Sequence, residues 1–159
     1  MQPTSVLFVC LGNICRSPMA EGVFRRMVAG AGLESVIRID SAGTGDWHVG
    51  EPPDRRAIAA AARREINIAG LRARQATGED LMRFDHVLAM DRDNLAALQR
   101  LAAPGSAAPR LFLGHAARTG VDEVPDPYLH GGFDAVLDLI EAGASELLRS
   151  LREHAAGAQ

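Results

Sequence analysis

The chain has 159 residues, 47% of them hydrophobic, and a formal net charge of -3. A chain of this size can bury a real core in one globular domain, expected here over residues 1–159. Its charge is spread without the basic block of a nucleic-acid binder, and its longest apolar run, residues 6–11, is far too short to span a bilayer.

Residues 6–9, Val6-Leu7-Phe8-Val9, are all apolar, with β-branched and aromatic members, which predicts a central strand buried on both faces. Ser17-Pro18 opens a helix, because proline at the first helical position gives up an N–H that has no partner there. Ala20, Val23, Phe24, Met27 and Val28 then recur at helical spacing. Residues 36–39 predict a second strand, and 53–66 a second helix with an alanine-rich body. Thr77-Gly78-Glu79-Asp80 has the form of a capping box for a short helix. A third strand follows at 86–90, then a helix capped by Asp91 or Asp93 that runs to Leu101. Residues 110–113 predict a fourth strand, after a loop rich in Gly, Pro and Ser. Phe133, Val136, Leu137, Ile140, Ala144, Leu147, Leu148 and Leu151 form the apolar stripe of a last helix. Strands alternating with helices at this spacing imply parallel βαβ units and a three-layer α/β sandwich. Such sheets bind ligands at the carboxyl ends of their strands, here in the loop after the first strand.

That loop reads Cys10-Leu11-Gly12-Asn13-Ile14-Cys15-Arg16-Ser17. Gly12 and Asn13 are residue types that readily take left-handed backbone conformations, which turns successive N–H groups inward as an anion-binding nest. The following helix adds its positive end, and Arg16 a planar fork of donors that matches two phosphate oxygens. The same field is expected to lower the Cys10 thiol from about 8.5 toward the range of roughly 3.5–7.5 found in such surroundings. Ser17 either donates its hydroxyl to that thiolate or caps the helix. Taken singly, a strand-end cysteine, a surface arginine and a Gly-Asn turn have ordinary structural explanations; their combination at this spacing does not. Cys10 and Cys15 cannot form a disulfide framework of the secreted kind, so a reducing, cytoplasmic location is expected, consistent with the lack of a leader-like start. Cys15 either packs inertly or traps an oxidised Cys10 as a disulfide; the proximity of the two points to the redox role.

The segment from Val9 through Cys10 and Arg16 to Glu21 resembles the signature of the low-molecular-weight protein tyrosine phosphatases. Asp40-Ser41-Ala42-Gly43, Asp46-Trp47, Arg72-Ala73-Arg74-Gln75, Met90-Asp91 with Asn94, and Asp126-Pro127-Tyr128 follow in the family's order. The resemblance implies a central four-stranded parallel sheet of order 2-1-3-4 with helices on both faces. It also implies hydrolysis of phosphotyrosine, and of aryl phosphates generally, through a phosphocysteine on Cys10. Residues 11–17 would hold the phosphate (Leu11, Gly12, Asn13, Ile14, Cys15, Arg16 and Ser17), and Asp126 would be the proton donor. Leu11, Ile14, Trp47 and Tyr128 would wall a cleft deep enough to exclude phosphoserine, with His48 a surface neighbour. Asn13 would support the loop through its side-chain hydrogen bonds.

Two departures stand out. Leu71 occupies a position where bacterial relatives often carry a histidine that reaches the asparagine, so that network must be shortened or rebuilt. Leu129 replaces a second tyrosine found in some relatives. Arsenate reduction is disfavoured because no cysteine follows Cys15. Phosphoarginine hydrolysis is disfavoured because Ile14 stands where that subgroup carries threonine, and a phosphopeptide-binding module because nucleophile and acid are both present. The expected partner is a phosphotyrosine protein, with no nucleic acid, membrane or second copy of the chain. No cofactor or metal is expected, since the five histidines show no ligand spacing.

Overall fold

The computed structural model describes residues 3–157. Strands β1 (Thr4–Cys10), β2 (Ile37–Gly43), β3 (His86–Ala89) and β4 (Arg110–Leu111) form one parallel sheet in the order β2-β1-β3-β4, the order expected. Side chains alternate across β1. Val6, Phe8 and Cys10 face a layer built from α1 (Arg16–Gly30), α2 (Arg55–Ala62) and α6 (Phe133–Gly157), among Met19, Phe24, Ala57, Leu137 and Ile140. Leu7 and Val9 face the opposite layer, where α3 (Gly78–Arg83) contributes Leu81 and α4 (Arg92–Gln99) contributes Leu98. Covering both faces of β1 is what permits its unbroken apolar run. Among the described residues no helix is long and apolar enough to cross a membrane.

Several elements differ from their expected bounds, each for a physical reason. The second strand continues to Gly43, because the small residues Ser41 and Ala42 are buried beside β1 rather than spent on a turn. The second helix ends at Ala62 instead of 66: Glu65 takes a left-handed φ of 63°, and Ile66 and Ile68 turn back into the core. The fourth strand has only two residues, after which Phe112–His115 winds into a 3-10 helix. That turn sets Phe112 and Leu113 against Gly143 of α6, where an added Cβ would meet them at 2.8 and 2.7 Å. Asp91, not Asp93, caps α4, accepting from Asn94 N at 2.8 Å, and the Thr77/Asp80 capping box is present. Asp126 itself keeps an extended backbone, φ -84° and ψ 114°. Pro127 begins a short helix, α5 (Pro127–His130), with Asp126 as its N-cap, a position that proline and aspartate both favour.

The ring of Phe8 is fully buried and meets Phe24 and Phe112 edge-on, with centroids 5.7 and 5.4 Å apart. Phe8→Ala is therefore expected to cost about 3–5 kcal/mol of stability, measured by urea denaturation.

Candidate active site

The loop between β1 and α1 is shaped by what holds its carbonyls. Thr44 N donates to Cys10 O and Gly45 N to Leu11 O, both at 2.9 Å, and Asp54 N donates to Ile14 O at 2.8 Å. No peptide bond among the described residues is cis. In a trans peptide the N–H points opposite to the carbonyl it is joined to, so carbonyls drawn outward leave the N–H groups of Leu11, Gly12 and Cys15 facing inward. Asn13 N donates to Cys10 Sγ at 3.3 Å. Only Asn13 takes a left-handed φ, 57°; Gly12 does not, contrary to the sequence expectation. Gly12 also leaves room for a neighbour, because a Cβ there would stand 3.0 Å from the His48 ring and press on it.

Behind the loop lies a buried chain of hydrogen bonds. Glu21, 2% exposed, is held by Arg25 Nε at 2.9 Å and accepts the Ser41 hydroxyl at 2.7 Å. Ser41 Oγ, having given its hydrogen to a carboxylate, accepts from Asn13 Nδ2 at 3.0 Å. The other Asn13 hydrogen goes to Ser17 Oγ at 2.7 Å, and Asn13 Oδ1 accepts from Arg74 N at 3.0 Å. Ser17 Oγ lies 3.1 Å from Cys10 Sγ and 3.3 Å from Ala42 O. Ser17 thus serves the sulfur; α1 is capped at Cys15 with no side-chain cap. With Leu71 packed on the core instead of a histidine, the asparagine network runs through Ser41, Glu21 and Arg25.

Arg16 is anchored from the far side. Its side chain is 3% exposed, and Nη1 donates to Asp91 Oδ2 at 2.6 Å and to Val124 O at 3.0 Å. Burial acts to lower its pKa, but the nearby Cys10 and the hydrogen-bonded Asp91 outweigh that and raise it, keeping the guanidinium charged. Nε and Nη2 make no hydrogen bond among the described residues, so two donors remain for an anion. Asp126 Oδ2 stands 3.6 Å from Arg16 Nη2, whereas Oδ1 accepts Tyr128 N at 3.0 Å. With Oδ1 committed to the cap, Oδ2 is the oxygen left facing Arg16.

Cys10, Leu11, Gly12 and Ile14 floor a cleft of about 120 Å³ with Cys15 and Arg16, and Trp47, Asp126 and Tyr128 rise around it. Trp47 is 68% exposed and Tyr128 45%, so neither is core packing. His48 also lines the cleft and pairs with Glu51 at 2.5 Å, which its reading as a plain surface residue missed. Asn13 and Ser17 lie beneath the floor, both buried. Burial, assisted by Asp54, Cys10 and Asp126, pushes the Cys15 thiol up to about 12, so it stays protonated at neutral pH. No group of three or more His, Cys, Asp or Glu able to hold a metal ion occurs among the described residues. Sequence reasoning also missed Glu21, Ser41 and the close fit of Gly43. The only signal for them was adjacency in the sequence motifs.

Comparison with known proteins adds the following. The family model described as low molecular weight phosphotyrosine protein phosphatase matches residues 5–156. The low molecular weight protein-tyrosine-phosphatase YfkJ of Bacillus subtilis is 43% identical over 150 residues, 94% of this chain and 96% of its own. A Streptomyces coelicolor low molecular weight protein-tyrosine-phosphatase is 44% identical over 158 residues, 96% of each chain. The crystal structure of YfkJ superposes with a TM-score of 0.93 at 42% identity, covering 97% of this chain and 98% of that one. A Drosophila arginine phosphatase structure gives 0.86 at 31% identity, over 92% of this chain and 96% of that one.

Gly43 pairs with Cys10 across the sheet, and a Cβ on it would lie 2.8 Å from Leu11 O and 3.1 Å from Gly12 C. Backbone atoms cannot yield as a side-chain tip can, so Gly43→Ala must displace the loop. The cost is of the order of 1–3 kcal/mol. Vanadate affinity, measured by calorimetry, should fall about tenfold or more.

Proposed function

Because this chain belongs to the low molecular weight phosphotyrosine protein phosphatase family and is a protein-tyrosine phosphatase, we propose that Cys10 is its nucleophile, Arg16 its phosphate clamp and Asp126 its general acid. The Cys10 thiolate attacks phosphorus and the S–P bond forms as the bond to the phenol oxygen breaks. Asp126 Oδ2 gives its proton to the departing phenolate. Water then attacks the phosphocysteine, Asp126 takes a proton from it, and inorganic phosphate leaves with the thiolate restored. The inward N–H groups of Leu11, Gly12 and Cys15 and the free Arg16 donors hold the phosphoryl oxygens throughout. Trp47, Tyr128, Leu11 and Ile14 hold the aromatic ring of a phosphotyrosine protein substrate. The enzyme acts as one catalytic domain over residues 1–159 and as a monomer in the cytoplasm. It requires no metal or cofactor and takes neither nucleic acid nor membrane as partner.

The observation that carries this reading is a sulfur that accepts a backbone N–H and lies 3.1 Å from a serine hydroxyl at the base of a cleft with an arginine and a carboxylate within reach. Arsenate reduction lacks its relay, as no cysteine follows Cys15. A phosphoguanidinium would be crowded by the β-branched Ile14, which lines the cleft.

Hydrolysis of phenyl phosphate by three proteins tests the assignment. Cys10→Ser is expected to abolish turnover, and Asp126→Ala to lower it by much of the roughly 10²–10⁴-fold that a positioned acid supplies. Full activity in Cys10→Ser would refute the mechanism, and phosphoserine peptides should react far more slowly than phosphotyrosine ones. Cys10 and Cys15 are further proposed as a redox pair. In this pair a Cys10 sulfenic acid loses water to the Cys15 thiol and becomes a disulfide. Mass spectrometry after peroxide should detect the Cys10–Cys15 link; sulfonylated Cys10 without it would rule protection out.

A further inference from the structure

The turn that carries Asp126 is tethered at its upstream end. Upstream, Val124 N donates to Met90 O at 2.8 Å and Val124 O accepts from Arg16. Downstream lie Gly131 and Gly132, both at positive φ, 74° and 80°, before Phe133 opens α6. Such a glycine pair resists movement poorly. Among the described residues, segment 125–131 receives one hydrogen bond from elsewhere in the chain, from Arg56 Nη2 to Tyr128 O at 3.0 Å. The same guanidinium lies 5.7 Å from the Tyr128 ring centroid and 4.9 Å from that of Phe133, so it grips the turn by charge and by stacking.

Arg56 is itself fixed to the phosphate loop. Its Nε and Nη2 form a two-pronged contact with Asp54, at 3.0 Å to Oδ1 and 2.9 Å to Oδ2. Asp54 N is the donor that holds Ile14 O outward at 2.8 Å. We propose that Arg56 is a positioning residue: through Asp54 on one side and Tyr128 on the other, it sets the distance between the phosphate loop and Asp126. The proposal rests on Asp126 being the general acid. Hydrogen bonding to Arg56 lowers the Asp54 pKa below its ordinary value of 3.8, which favours the charged pair. A lysine at 56 would keep the charge but lose the fork and the flat face that stacks.

Two aryl phosphates separate positioning from structure. Phenyl phosphate has a basic leaving group and needs the proton; 2,4-dinitrophenyl phosphate has an acidic one and does not. In Arg56→Ala, kcat/KM for phenyl phosphate is expected to fall about tenfold, part of the roughly 10²–10⁴-fold due to general acid catalysis. For the dinitrophenyl ester it should change by less than about twofold on the same grounds. Arg56→Lys should fall between wild type and Arg56→Ala, and far-UV circular dichroism should show all variants folded. In an Asp126→Ala background the Arg56 substitution should have no further effect on phenyl phosphate. Equal losses on the two esters, or losses that multiply in the double variant, overturn the role of Arg56 and leave the acid assignment standing. If Asp126→Ala alone leaves phenyl phosphate hydrolysis intact, the acid assignment fails and the role of Arg56 fails with it.

Discussion

A cradle of backbone N–H groups lasts only if something keeps the intervening carbonyls turned away, since each peptide carries both and can present either. Here the outward pull comes from two segments outside the loop. Thr44 and Gly45 follow β2, and Asp54 caps α2; together they take the carbonyls of Cys10, Leu11 and Ile14. The fit of Gly43 against Leu11 O closes the same contact sterically. The site is therefore a product of the sheet register, which aligns Gly43 with Cys10, and not a property of the eight-residue loop alone.

This division explains what could be read from the chain. Contiguous signals were legible: the apolar β1, the Cys10-to-Ser17 spacing, the Thr77/Asp80 capping box and the stripe of α6. The family resemblance supplied strand order and the place of Asp126. Features set by distant partners were not legible. Residues 40–43 look like a turn until their burial against β1 is known. The route from Asn13 to Glu21 depends on Ser41 of β2 lying against Glu21 of α1. His48 was read as surface because nothing near it in sequence shows that Gly12 lies under its ring.

Two aspartates carry double duty, and in both the local and the long-range role use different oxygens. Asp91 caps α4 with Oδ1 and holds Arg16 with Oδ2. Asp126 caps α5 with Oδ1 and turns Oδ2 toward Arg16. In each case the backbone bond orients the carboxylate, so that the second oxygen is aimed before any substrate arrives. A reading of either residue as a helix cap is correct and incomplete.

Ser17 has one hydrogen and two acceptors, the Cys10 sulfur at 3.1 Å and Ala42 O at 3.3 Å, while Asn13 occupies one of its lone pairs. An anionic sulfur is the stronger acceptor and draws that hydrogen. Rotation of the hydroxyl about its single C–O bond carries the hydrogen from one acceptor to the other.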